Sequence, residues 1–114
     1  MKNIFKIAII ALCMGSCAAP ASLYTWDQYH QKSYNYLKNN DEKSIEELIK
    51  TYQVIINKQK GSRKTVPPGI FADYGLLLLH KDKVEEGKKM LQMEIALYPE
   101  SAIFIGQILK TLEK

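Results

Sequence analysis

Residues 68–99, PGIFADYGLLLLHKDKVEEGKKMLQMEIALYP, decide the fold. Pro68 is tolerated in the first turn of a helix, where a missing N–H costs no hydrogen bond. A helix is therefore predicted from about Pro68 to His80. Asp82 with Glu85 three residues on has the form of a capping box, which predicts a further helix over residues 83–97. Pro99 then breaks the chain. Phe71, Tyr74 and Leu78 recur at helical spacing, and Gly75 among them has no side chain to hold another backbone away. Gly87 is the small residue of the second segment and Leu91 a large one. The two segments are predicted to meet at these glycines.

The same periodicity extends on both sides. Ile45, Leu48, Ile49, Tyr52, Ile55 and Ile56 follow one helix face, with lysines and glutamates on the other, and Asp41 is placed to cap that helix. Before it, Trp26, Tyr29, Ser33, Tyr36 and Leu37 form a stripe that Asn39-Asn40 ends. Gly61 to Pro68 reads as a polar, basic loop. After Pro99, Ile105, Ile108, Leu109 and Leu112 mark a fifth helix. No segment alternates with period two over a useful length. The prediction is an all-α protein of five helices.

Residues 68–99 also resemble a tetratricopeptide repeat, a helix-turn-helix unit of about 34 residues. Pro99 takes the closing proline, Phe71, Tyr74, Leu78 and Leu91 the bulky positions, and Gly75 and Gly87 the small ones. Glu94 departs from the pattern, because it falls where a close-packed alanine is usual. The first helix pair is a poorer copy. Tyr29, Ser33 and Tyr36 match bulky, small and bulky, but the following helix does not keep register. The fifth helix takes the place of the polar-backed cap at a solenoid's end.

The amino terminus carries a different message. Lys2 and Lys6 flank the start of an apolar stretch, Ile4 to Leu12, that is too short for the ~20 residues of a membrane-spanning helix. Such a start marks a secretory leader. Met14-Gly15-Ser16-Cys17 resembles the bacterial lipobox, which implies cleavage before Cys17, a diacylglycerol thioether on it and a fatty acyl group such as palmitate on the new amino terminus. The expected organisation is a lipoprotein signal peptide over residues 1–16, a lipidated tether over 17–23 and a helical domain over 24–114. Ala18 stands where aspartate would imply retention in the inner membrane, so the expected location is the periplasmic face of the outer membrane.

Of the two cysteines, Cys13 falls in the leader and Cys17 takes the lipid. The remaining body then has no thiol for a disulfide framework or a cysteine-based zinc site. Removing Lys2 and Lys6 lowers the 16 basic residues to 14 against 12 acidic ones, a formal charge near +2. The pI of 9.0 therefore owes part of its height to the leader, and no nucleic-acid partner is expected. The length suits one small domain.

Little here points to catalysis. No G-x-S-x-G motif is present, and His30 and His80 fall on different helices without a ligand-spaced partner. His80 reads as a favourable contact with a helix dipole. Glu46-Glu47 and Glu85-Glu86 are sequence neighbours, which point apart on a helix. No glycine-rich phosphate loop occurs. No catalytic residue, metal or cofactor is expected. The surplus is aromatic: seven tyrosines and Trp26. Most are expected in the core, while Tyr24, Trp26, Tyr29, Tyr34 and Tyr36 are candidates to line a groove for a peptide or partner helix. Lys58, Lys60, Arg63 and Lys64 read first as a solubilising loop, and second as a contact with anionic lipid or peptidoglycan.

Leu23-Tyr24-x-Trp26 with Tyr29, Val66-Pro67-Pro68-Gly69 with Ala72 and Gly75, and Glu94 with Tyr98-Pro99-Glu100-Ser101-Ala102 together resemble a small family of Gram-negative lipoproteins without an established function. Asp27 departs from the glycine common there. The resemblance implies a tetratricopeptide-like lipoprotein, often encoded beside a lipoprotein similar to the curli secretion channel and another small lipoprotein. The expected function is a non-enzymatic adaptor for such an envelope lipoprotein or secretion channel, or alternatively a regulator or inhibitor of a periplasmic enzyme acting on the cell wall. Sharing a membrane raises effective concentration and makes weak contacts sufficient. Trp26, Tyr29, Tyr36, Glu94 and Glu100 are the candidate partner-binding residues. For Glu94 a second expectation stands beside this one, that it accepts hydrogen bonds from backbone N–H groups or from Ser101 and locks the turn before the fifth helix.

Overall fold

The computed structural model describes residues 21–114, so the leader, the lipobox and Cys17 lie outside the described residues. Five α-helices follow one another: α1 (Tyr29–Asn39), α2 (Glu42–Asn57), α3 (Ile70–His80), α4 (Val84–Leu97) and α5 (Ala102–Leu112), with a 3-10 turn, Pro99–Ser101, leading into α5. The fold is all-α, and no strand occurs among the described residues.

Helix ends follow local chemistry, with two departures from expectation. Asp41 caps α2 as predicted. Its carboxylate accepts the Ser44 N–H at 2.8 Å while the Ser44 hydroxyl accepts the Asp41 N–H at 3.2 Å. Those bonds from Ser44 hold the Asp41 carboxyl below its ordinary pKa. The box expected at Asp82 and Glu85 does not form, and Lys83 precedes α4 with no side-chain cap. Asp82 is already committed to ending α3. It sits in the left-handed region at φ 60°, with its N–H on the Leu79 carbonyl (3.0 Å) and the Lys83 N–H on that of Leu78 (2.9 Å). This pair of bonds terminates a helix and leaves Asp82 unable to start the next. The second departure is at α3, which begins at Ile70 rather than Pro68, because Gly69 turns the chain at φ 92°.

The helices alternate in direction. Tyr29 of α1 packs at a tilt against Tyr52 of α2 at 6.0 Å, and Tyr52 stacks on Tyr74 of α3 at 5.3 Å. Lys81, just after α3, reaches Glu42 at the start of α2 at 2.7 Å. The starts of α1, α3 and α5 and the finishes of α2 and α4 therefore share one end of the molecule. Asn40-Asp41 and Lys81-Asp82-Lys83 form the other.

Within α3–α4 the predicted glycine contact is present. A Cβ on Gly75 would lie 3.0 Å from the Gly87 carbonyl oxygen, and one on Gly87 would lie 2.9 Å from that of Gly75. Leu91 packs beside Gly75 and is fully buried, as are Leu48, Ile55, Ile70 and Leu78 in the core that α2 shares with α3, and Ile105 of α5. By contrast α1 has no fully buried residue. It covers α2 through half-buried aromatic side chains.

The segment before α1 is pinned to the loop between α2 and α3. Ser62 and Arg63 donate backbone N–H groups to the carbonyls of Ser22 (2.9 Å) and Leu23 (3.1 Å). Gln59 brackets Thr25, accepting its N–H at 2.9 Å and donating to its carbonyl at 2.8 Å. A side chain at Gly61 would run into the Leu23 carbonyl and the Tyr24 backbone. Ser22 and Leu23, assigned to the tether from sequence, are thus held against the domain.

Candidate functional site

Because α1 and α3 both pack on α2, a groove of about 370 Å³ opens between them. Its α1 wall is Tyr29, Ser33, Tyr36 and Leu37, four residues that helical spacing brings to one side. Leu48 and Tyr52 of α2 contribute to the lining between the walls, and the opposite wall is Asp73, Leu76, Leu77 and His80 of α3. Leu37 is 76 % exposed and Leu76 40 % exposed, so apolar surface rims an aromatic interior.

One polar contact crosses the groove. The Tyr29 hydroxyl donates to Asp73 Oδ2 at 2.6 Å. Burial, then the bond to Asp73 and its charge, push the Tyr29 phenol up to about 12. Burial raises the Tyr52 phenol further still. Trp26 closes the groove's start by packing on Tyr29 at 5.8 Å and stacking on His30 at 6.0 Å.

The acid and the histidine of the α3 wall stand apart. Asp73 and His80 are separated by seven residues of helix, about 10 Å along its axis, and a proton-transfer pair must be within hydrogen-bond reach or one water apart. Among the described residues no three His, Cys, Asp or Glu side chains stand close enough to hold a metal ion. The Asp73 carboxylate accepts the Tyr29 phenol while keeping further lone pairs, beside tyrosine faces and exposed leucines.

The five candidate partner-binding residues divide. Trp26, Tyr29 and Tyr36 come together on the α1 side. Glu94 does not line the groove: it is 3 % exposed, and its Oε1 accepts the Gly69 N–H at 2.7 Å. The Glu94 Oε2 has no hydrogen-bond partner among the described residues. The backbone N–H expected for an internal lock is therefore present, but it belongs to the start of α3. Ser101 instead donates its hydroxyl to the Tyr98 carbonyl at 2.7 Å. Glu100 is exposed on the 3-10 turn, away from the groove. Tyr24 packs edge-on against Trp26, and Tyr34 is exposed.

Sequence reasoning missed Asp73. The available signal was a single acid inside the apolar run IFADYGLLLLH, but helical spacing alone does not say which tyrosine of another helix faces it.

Fold and groove define a small all-α protein of helical hairpins with an open aromatic cleft. The chain belongs to the family described as Domain of unknown function (DUF4810), whose model matches residues 23–108. No curated protein and no solved structure matches it.

Proposed function

We propose that this protein is a non-enzymatic adaptor, anchored through Cys17 to the periplasmic face of the outer membrane, whose α1–α3 groove takes a segment of another envelope protein. The observation that carries the reading is the groove itself, with an aromatic interior, exposed apolar rim residues and a single carboxylate. Aromatic side chains dominate binding hot spots, and an apolar groove with few polar groups is the usual form of a recognition site. The lipobox resemblance supports the anchor, and the anchor makes a modest groove sufficient, because a partner in the same membrane is held at high effective concentration. The partner class favoured by the family resemblance is another lipoprotein, of the secretion-channel kind.

The test is a photo-crosslinking amino acid placed at Leu37, at Leu76 and, as a control, at exposed Glu86 on α4, in intact cells. Leu37 and Leu76 should capture the same outer-membrane protein and Glu86 should not. A Cys17→Ser variant should lose the lipid and most of that crosslink. Capture of a cell-wall-acting enzyme would replace the adaptor reading with the regulatory one. Equal capture from all three positions, or none from the two leucines, overturns the groove.

A further inference from the structure

The end of the molecule that carries the starts of α1, α3 and α5 has a composition unlike the rest. Lys58, Lys60, Arg63 and Lys64 are exposed there. Among the described residues none of the four has a carboxylate within 4.0 Å. The stretch from Asn57 to Ala72 contains no acid, and neither does Ala18 to Trp26, of which Ser22, Leu23 and Thr25 are bonded to it. The exposed acids at this end are Asp27 and Glu100; Glu94 is buried. The opposite end is mixed in charge, with Asp41, Glu42, Asp82, Glu85 and Glu86 interspersed among Lys38, Lys43, Lys81, Lys83 and Lys88.

Three large apolar side chains also stand in solvent at the basic end. Leu23 is 54 % exposed, Ile103 81 % and Phe104 66 %. Leu23 lies on the pinned segment before α1 and the other two in the first turn of α5. Tyr98, immediately before that turn, hydrogen-bonds the Val66 carbonyl at 2.6 Å, and burial with a hydrogen bond to Tyr24 raises its phenol to about 12. The first turn of α5 is thereby tied to the loop that carries the cations. The core explains none of the three, and the α1–α3 groove lies elsewhere.

We propose that this surface, formed by Leu23, Ile103 and Phe104 with the loop Lys58–Lys64, is a membrane-facing one that rests on anionic lipid headgroups. The proposal relies on the reading of Cys17 as the lipid anchor. Cys17 precedes Ser22 by five residues, at most about 18 Å of extended chain, and Ser22 is bonded to Ser62 inside the basic loop. An anchor at Cys17 thus delivers this end of the domain to the bilayer. Attraction between exposed charges survives over a Debye length, about 8 Å at physiological ionic strength, so a short tether is what lets four cations act. Lysine and arginine around exposed apolar side chains form the composition of interfacial binding surfaces. With this end down, α1 and α3 start near the bilayer and run away from it, and the groove between them opens sideways toward other proteins in the membrane.

The domain has no thiol of its own beyond Cys17, so one introduced cysteine can be labelled specifically. Full-length lipidated protein carrying Ser62→Cys or, at the far end, Lys43→Cys is labelled with a fluorophore. It is then reconstituted into vesicles of phosphatidylcholine, or of phosphatidylcholine with an equal part of phosphatidylglycerol, each with a headgroup-attached quencher. The Ser62 label should be quenched more strongly in the phosphatidylglycerol vesicles, the excess being lost at high salt and in Lys58→Gln/Lys60→Gln/Arg63→Gln/Lys64→Gln protein whose circular dichroism and melting are unchanged. The Lys43 label should not respond. Flotation with neutral vesicles reports the anchor separately. Protein that floats with both vesicle types but shows equal quenching at Ser62 keeps the anchor and overturns the surface. Protein that floats only with anionic vesicles keeps the surface and overturns the anchor, and protein that floats with neither overturns both. Binding to purified peptidoglycan without any lipid response, or disulfide-linked dimers of a Phe104→Cys variant in place of lipid contact, assigns the face to another occupant and overturns the proposal.

Discussion

Glu94 of α4 accepts the Gly69 N–H at 2.7 Å and so closes the amino terminus of α3 from a different helix. The first N–H groups of a helix have no partner within it, and its dipole favours negative charge there. Gly69 presents that N–H because its φ of 92° lies where a side chain is strained. The position at which helical hairpins usually pack alanine thus holds the clamp between the loop and the second hairpin.

Glu94→Ala should lower stability by ~1.5–3 kcal/mol, the contribution of a hydrogen bond to a charged group. Glu94→Gln should lose less, since an amide oxygen still accepts that bond. Urea midpoints of the two variants check the order. An alanine variant as stable as wild type removes the clamp.

Three glycines should respond with opposite signs. Gly75→Ala and Gly87→Ala press a methyl against the facing carbonyl, and at Gly87 also against Leu79 Cγ at 2.8 Å. Overpacking of this kind costs ~1–3 kcal/mol, which for a domain of this size is about 4–8 °C of Tm per kcal/mol. Gly106 on α5 has nothing within 4 Å of an added Cβ, so Gly106→Ala should gain ~0.5–1 kcal/mol. Thermal melts of the three proteins decide it.

Alkaline pH should unfold the domain through its tyrosines. Tyr29 and Tyr98 are raised to about 12, against about 10 in an unfolded chain. A raised folded value means that their contribution is fully present below pH 10 and lost as pH climbs through 12. Phenolate absorbance of the native protein should lag behind that in urea over this window, with helix loss following. Coincident titration curves contradict the burial of these phenols.

Rim and interior of the groove should separate stability from binding. Leu37→Asp alters a residue that is 76 % exposed and should leave stability within ~0.5 kcal/mol while abolishing the crosslink captured at Leu76. Tyr29→Phe removes the donor to Asp73 and should cost ~1 kcal/mol. A Leu37→Asp protein that retains the crosslink places the partner elsewhere.

Helix positions were legible because they rest on local information. Period 3.6 placed Ile45, Leu48, Tyr52 and Ile55 on one face, and all four are buried. The Asp41 cap depends on a residue three positions away and formed as expected. Where two local signals competed for one residue, the sequence could not arbitrate. Asp82 carries the chemistry of an N-cap, but the chain had to reverse there, and a left-handed residue ending α3 cannot also begin α4.

The amino-acid sequence by itself determined five helices, the glycine crossing of α3 on α4 and an aromatic surplus on α1, since spacing and side-chain volume act through near neighbours or within one hairpin. Only the tertiary structure decided that Tyr29 meets Asp73 forty-four residues away, that Glu94 turns inward to Gly69, and that Ser22 and Leu23 are pinned to the basic loop. Each of these joins groups on separate segments, and their encounter depends on how the helices stack, which no period in the sequence encodes.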